Sequence, residues 1–138
     1  MRLDDKSYLI NYIQKTYSQI SLFAFFLKIS ASSIEHCLKH SRNTIKNPIR
    51  PSDNNPSLGF LFFKTKNGRK LRMRDWGDSS FNFDIIDLVG YLIGKNPRKG
   101  KEFIEICHHI IKTYNPSQVA FKQDDIYEST YSANVTGI

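Results

Sequence analysis

The feature that most constrains this chain is an Asn-Gly pair, Asn67-Gly68, set between two runs with the two-residue period of strands. Asn-Gly supplies the left-handed backbone that a tight type I′ hairpin turn requires, so the pair predicts antiparallel strands on either side. The first strand is expected over Ser57 to Thr65, where Leu-Gly-Phe-Leu-Phe-Phe is apolar on both faces. The second, Arg69 to Trp76, alternates: Leu71 and Met73 point one way, and Lys70, Arg72, Arg74 and Trp76 point the other.

The flanks carry helical patterns. Asp4 or Asp5 caps an expected helix of about Lys6 to Thr16, with Tyr8, Leu9, Tyr12 and Ile13 on one face. Leu22 to Leu27 reads as a second helix buried on most sides, and Ser30, Ser32 or Ser33 as the cap of a third, Ile34 to His40. Ser41 to Asn55 breaks every period with asparagines and prolines and is expected to be a loop. After the hairpin, Gly77-Asp78-Ser79-Ser80 marks a turn. Phe83 to Ile93 reads as a helix closed by Gly94, and a last helix is expected from Asn96-Pro97 to about Tyr114. Periodicity is lost beyond Val119. The pattern predicts an α+β fold, a small antiparallel sheet flanked by N-terminal and C-terminal helices. Residues 1–30 are expected as a helical arm, 31–115 as the domain and 116–138 as a loosely packed tail.

Charge is concentrated. Ten of the twenty Lys and Arg residues fall between Lys39 and Arg74, against Asp53 alone, while the chain as a whole carries +7. So local an excess repels itself unless an anionic partner offsets it, and phosphate backbones are the commonest such partner. The alternative is a solvated surface with surplus lysine. No apolar run reaches the roughly 20 residues of a membrane span. The N-terminus lacks a signal-peptide pattern, so a cytoplasmic location is expected. Two cysteines make no disulfide framework.

The middle of the chain orders four features: a proline-bounded basic loop (Lys46-Asn47-Pro48-Ile49-Arg50-Pro51), Asn55-Pro56-Ser57 entering an aromatic strand, the hairpin, and Arg74-Asp75-Trp76-Gly77 leading through a short turn into an apolar helix. This order resembles the N-terminal zinc-ribbon domain of bacterial and phage DNA primases. There a Cys-Pro-x-His loop, a Pro-Ser-Phe strand entry, a hairpin, a Cys-x-x-Cys knuckle, a Gly-Asp turn and a helix follow one another. The likeness covers about Ile20 to Tyr114. Asn47 to Arg50 stands where the Cys-Pro-x-His pair belongs, Arg74 to Gly77 stands at the second knuckle, and Asp84-Ile85-Ile86 resembles the start of the helix. It is similar to a phage-type variant whose metal ligands are gone.

Structural zinc needs four thiolate or imidazole ligands, and Asn47, Arg50, Arg74 and Gly77 offer none. The expectation is therefore a ribbon without metal or other cofactor, held by its core and by hydrogen bonds. Asp75 would pair with Arg50 or Arg74, or these charges would simply be solvated. The resemblance implies a module that grips a DNA template, most simply a single strand, during phage- or plasmid-type replication. It would be an accessory to or fragment of a primase, with a replicative helicase or polymerase subunit as a further partner. The expected contacts are Lys46, Arg50, Arg69, Lys70, Arg72 and Arg74. Trp76 either stacks a base or packs on the following helix.

No catalytic constellation stands out. Asp84/Asp87 and Glu102/Glu105 lie one helical turn apart, without the setting of a Mg²⁺-binding polymerase site. Cys37, His40 and Cys107 read as two core cysteines and a surface histidine rather than a metal site. The chain is therefore expected not to be an enzyme by itself. The rival function is a protein-interaction module docking through Phe60, Phe62 and the aromatic helix Phe23 to Phe26.

Overall fold

The computed structural model describes residues 5–50, 55–66 and 68–116. Asn67, residues 51–54 of the expected loop and the tail expected over 116–138, apart from Pro116, lie outside the described residues.

Three short helices come first: α1 (Lys6–Thr16), α2 (Gln19–Leu27) and α3 (Ala31–Lys39). Each begins on a side-chain acceptor. Asp5, Ser18 and Ser30 accept from the backbone N–H of Tyr8, Ser21 and Ser33 and so satisfy donors that a helix start leaves unpaired. The Ser18 cap starts α2 three residues before the apolar run that signalled it. Lys28 closes α2 in the left-handed conformation (φ 59°), which costs a non-glycine residue strain.

The hairpin forms as expected. Strands β1 (Leu58–Thr65) and β2 (Gly68–Asp75) pair antiparallel from Thr65 opposite Gly68 to Leu58 opposite Asp75, and Gly68 takes a φ of 115°. A two-residue strand, β3 (Asn82–Phe83), adds to the far edge of β2 and gives the order β1-β2-β3. The sequence pattern placed Phe83 at the start of the next helix and gave no strand here. Two further devices complete the sheet. Ile45 bridges to Leu58 on the β1 edge, inside the expected loop. On the β2 edge, below the short β3, the Gln19 side chain donates to Arg69 O (2.9 Å) and accepts from Leu71 N (2.8 Å) as a strand would.

Helix α4 (Ile85–Ile93) opens on a reciprocal capping box between Asp84 and Asp87 and closes on Gly94 in the left-handed conformation. Helix α5 (Gly100–Thr113) follows the Asn96–Lys99 turn. Gly90 is required on α4, since a Cβ there would stand 2.8 Å from Lys95 O and 2.9 Å from the Ile106 side chain.

One core joins all of this. Leu58, Phe60, Leu71 and Met73 on one sheet face pack with Phe23 and Leu22 of α2, Ile34 and Cys37 of α3, Leu88 of α4 and Ile106 of α5. Phe23 meets Phe60 edge-on at 5.6 Å. Leu9 and Ile13 of α1 are also fully buried in this core, and α1 packs along α5. Helices α1 and α2 therefore belong to this core rather than to a separate arm. The apolar face of α1 is completed by α5, which starts only at Gly100, and no local pattern reports that. Leu92, one of the apolar residues of α4, is 40% exposed. Among the described residues no helix is long and apolar enough to cross a membrane.

Candidate nucleic-acid interface

Strand parity separates the hairpin into two chemistries. On the inner side, β2 ends at Asp75, opposite Leu58. The 45–50 loop folds over this end, and four groups converge on the Asp75 carboxylate, whose side chain is fully buried. Asn47 Nδ2 donates to Oδ2 at 2.9 Å, and Ser57 Oγ donates to Oδ1 at 2.6 Å. Gly77 N donates to Oδ1 at 2.8 Å, and Arg50 Nε lies 3.0 Å from Oδ2. Arg50 also reaches Ser57 Oγ at 2.9 Å. Burial pushes the carboxyl up. The hydrogen bonds from Ser57, Asn47 and Gly77, with the Arg50 charge, outweigh it and hold Asp75 below the ordinary aspartate value. A side chain at 77 would meet Arg50, Asp75 and Ser57 at 3.0–3.3 Å, so glycine leaves the space the clasp fills.

Of the two partners expected for Asp75, the structure selects Arg50. Arg74 is adjacent in sequence and therefore points to the other face, where its guanidinium lies 4.2 Å from the Trp76 ring centre. The clasp is unsuited to zinc: no thiolate or imidazole is in it, and a guanidinium is among the groups around its one carboxylate. Among the described residues no group of three or more His, Cys, Asp or Glu is placed to hold a metal. Cys37 and Cys107 are buried, and burial raises their thiols to about 11 and about 12.

The outer side of the hairpin bears Gly59, Leu61 and Phe63 from β1 opposite Arg74, Arg72 and Lys70 from β2. Trp76 continues this side, held by a bond from its N–H to Ser57 O (2.9 Å), and its indole passes 3.4 Å from where a Cβ on Gly59 would stand. It is 59% exposed, and Leu61 is 41% exposed. The Trp76 ring thus lies across the sheet rather than on the following helix. Arg72 approaches Phe63 at 5.6 Å. Cations and flat apolar groups interleave on a sheet face turned to solvent.

The seven residues expected to contact nucleic acid fall into distinct places. Arg74 and Trp76 are together and exposed, and among the described residues Arg74 has no carboxylate partner. Lys70 and Arg72 share their side of the strand but bend toward the N-terminus of α4. There Lys70 Nζ meets Asp84 at 3.3 Å and Arg72 meets Asp87 at 3.8 Å. Arg72 also donates to Asn82 at 2.7 Å. Burial and the neighbouring Asp84 charge raise Asp87 above the ordinary value despite Arg72. Lys46 is exposed on the loop. Arg50 is committed to the clasp. Arg69 lies on the opposite face with its guanidinium 4.7 Å from the Phe62 ring, as the odd position in an even row must.

Ser57, Asn82 and Gly59 were not singled out from sequence as parts of this surface. Register supplies Asn82 and Gly59, while Ser57 follows from its place directly before β1. No protein-family model matches the chain, and neither a curated protein nor a solved structure matches it.

Proposed function

We propose that this protein is a metal-free relative of the primase zinc ribbon that grips single-stranded DNA template on the outer face of its hairpin. The observation that carries the reading is the exposed Trp76–Arg74 pair beside Arg72, Phe63 and Leu61 on an uncovered sheet face. Base stacking on an aromatic ring contributes roughly 1–3 kcal/mol per base and tolerates any base, while arginines hold the phosphates. Alternate residues on a strand lie about 7 Å apart, so Arg72 and Arg74 can follow an extended backbone. Flat single strands fit such a face better than a duplex, whose bases are already stacked.

The Asp75 clasp supports the likeness to the ribbon. Asn47 and Arg50 of the first knuckle position and Asp75 and Gly77 of the second meet in one buried cluster. The clasp would tie loop to strand where relatives use metal. In this reading the protein makes no primers by itself and serves a polymerising domain elsewhere.

The rival interaction surface divides, because Phe25, Phe26 and Phe62 are only partly buried. Phe23 and Phe60 are core residues at 0% and 4% exposure and cannot be offered to a partner.

Fluorescence anisotropy of labelled oligo(dT) and of a matched duplex over a salt series tests the reading. Preferred binding of the single strand is expected, with affinity falling as salt rises. Arg74→Ala should lower the salt slope by about 0.7, the value of one phosphate contact on a single strand. Equal, salt-independent or absent binding to both DNAs would overturn it.

A further inference from the structure

Beyond β3, on the side away from β1, the exposed face continues into a groove of about 530 Å³. That volume falls in the range of small-molecule sites, roughly 300–1,000 Å³. Its walls include Arg72 of β2, Asn82 of β3, Tyr91 of α4, and Asn96 and Arg98 of the turn before α5. Two of these belong equally to the sheet face. Arg72 shares the outer side with Arg74, and Asn82 stands opposite Arg74 in the β2–β3 register. The groove therefore opens directly off the surface that carries Trp76.

Tyr91 is 52% exposed. Its ring is braced from behind by Phe81 and Phe83, each 5.5 Å away, and Phe81 is itself buried. A braced ring has little rotamer freedom left to lose when something stacks on its open side. Apart from Phe83 and Pro97, the remaining walls are amides, hydroxyls, cations and the Asp87 carboxylate, which suit neither an apolar helix nor a lipid tail. Asp87 and Glu105 already sit against Arg72 and Lys95, whereas Arg98 has no carboxylate partner among the described residues. A flat ring, hydrogen-bonding amides and a free guanidinium in one groove match the base, base edge and phosphate of a nucleotide.

From this we infer that the groove holds the next nucleotides of a single strand whose first bases lie on Trp76, with a base on Tyr91 and a phosphate at Arg98. The inference rests on the nucleic-acid reading above and extends it to a second stacking position. Crossing from β1 to β3 covers two strand spacings, about 10 Å, so a strand running over the sheet reaches the groove without a bend.

The test compares oligo(dT) of about four and about twelve nucleotides, the span of site sizes that such modules cover, with the parent, Trp76→Ala, Arg98→Ala and the double variant Tyr91→Ala, Arg98→Ala. The double variant should bind the short oligomer like the parent and the long one about tenfold more weakly. Tyr91→Phe, which keeps the ring, should behave as the parent. Arg98→Ala, far from the core, should by itself lower the salt slope for the long oligomer by about 0.7, and it carries the test if the double variant does not fold. If these groove variants bind the long oligomer as the parent does while Trp76→Ala weakens both lengths, the groove is not part of the path and the sheet-face reading stands. If Trp76→Ala weakens neither length, the sheet-face reading itself fails.

Discussion

Two carboxylate sites flank β2, and they use the same residue types to opposite ends. At its C-terminal end the Asp75 side chain is fully buried, accepts from three neutral donors and faces an arginine whose side chain is only 18% exposed. Along its outer side, Asp84 and Asp87 meet Lys70 and Arg72 at 3.3 and 3.8 Å with partial exposure on both partners. The first carboxyl is held below its ordinary value, and Asp87 is pushed above it. The difference lies in the donors. Asp75 has enough hydrogen bonds to outweigh its desolvation, whereas Asp87 has one backbone donor, Asp84 N, a carboxylate neighbour and one distant arginine. The comparison teaches that one site ties loop to strand, while under the proposed function the other would release a cation to a stronger anion.

The largest expected effect comes from breaking the clasp. Asp75→Ala leaves the partly buried Arg50 and the buried Asn47 without this acceptor, and breaking a buried pair typically costs about 3–5 kcal/mol. Urea unfolding monitored by circular dichroism measures it. A loss below about 1 kcal/mol would show that the loop closes without the clasp. The same site predicts a pH dependence. A carboxyl with a depressed folded-state value contributes stability that is present above its unfolded value, about 3.9, and is lost as pH falls through the folded value. The parent should therefore lose stability more steeply than Asp75→Asn as pH drops below about 4. Parallel profiles would contradict the depressed value.

Next in size is the stacking contribution. Trp76→Ala should weaken single-stranded DNA binding by about 1–3 kcal/mol and leave the unfolding midpoint nearly unchanged, since the ring is mostly in solvent. A large loss of stability would mean that Trp76 belongs with the clasp and not with the open face.

The smallest effect is at Asp87. Asp87→Asn keeps an acceptor for the capping box but frees Arg72 from a competing charge. Exposed pairs are worth roughly 0.2–1 kcal/mol, so DNA affinity should rise by that amount. In the parent, affinity should also rise as pH falls through the elevated Asp87 titration, because protonation releases Arg72. Asp87→Asn should flatten that part of the profile. Weaker binding by Asp87→Asn would show that the carboxylate orients Arg72 rather than competing for it.

Much of this geometry was legible in the chain. Asn67-Gly68 and the alternation of Leu71 and Met73 with Lys70, Arg72 and Arg74 define a hairpin with a cationic outer side, and the strands form in that register. Parity also separates Asp75 from Arg74: neighbours on a strand point apart, so only Arg50 could reach the carboxylate. What parity does not report is where long side chains go next. Lys70 and Arg72 leave their row because the N-terminus of α4 brings Asp84 and Asp87 within reach, a tertiary event. Burial of α1 against α5 and the Gln19 contact to the β2 edge were hidden for the same reason. Tyr91 falls on the solvent side of an apolar helix, and its role depends on the Phe81–Phe83 bracing that β3 and the preceding turn create.

Trp76 is the only tryptophan of the chain, which makes one measurement the most direct test of the central claim. Tryptophan emission is followed as oligo(dT) is added at low salt, and then as salt is raised. The account predicts saturable quenching with the affinity given by anisotropy, reversed by salt. DNA binding that leaves the emission unchanged, or no binding at all, would contradict a single strand stacked on the outer face of the sheet.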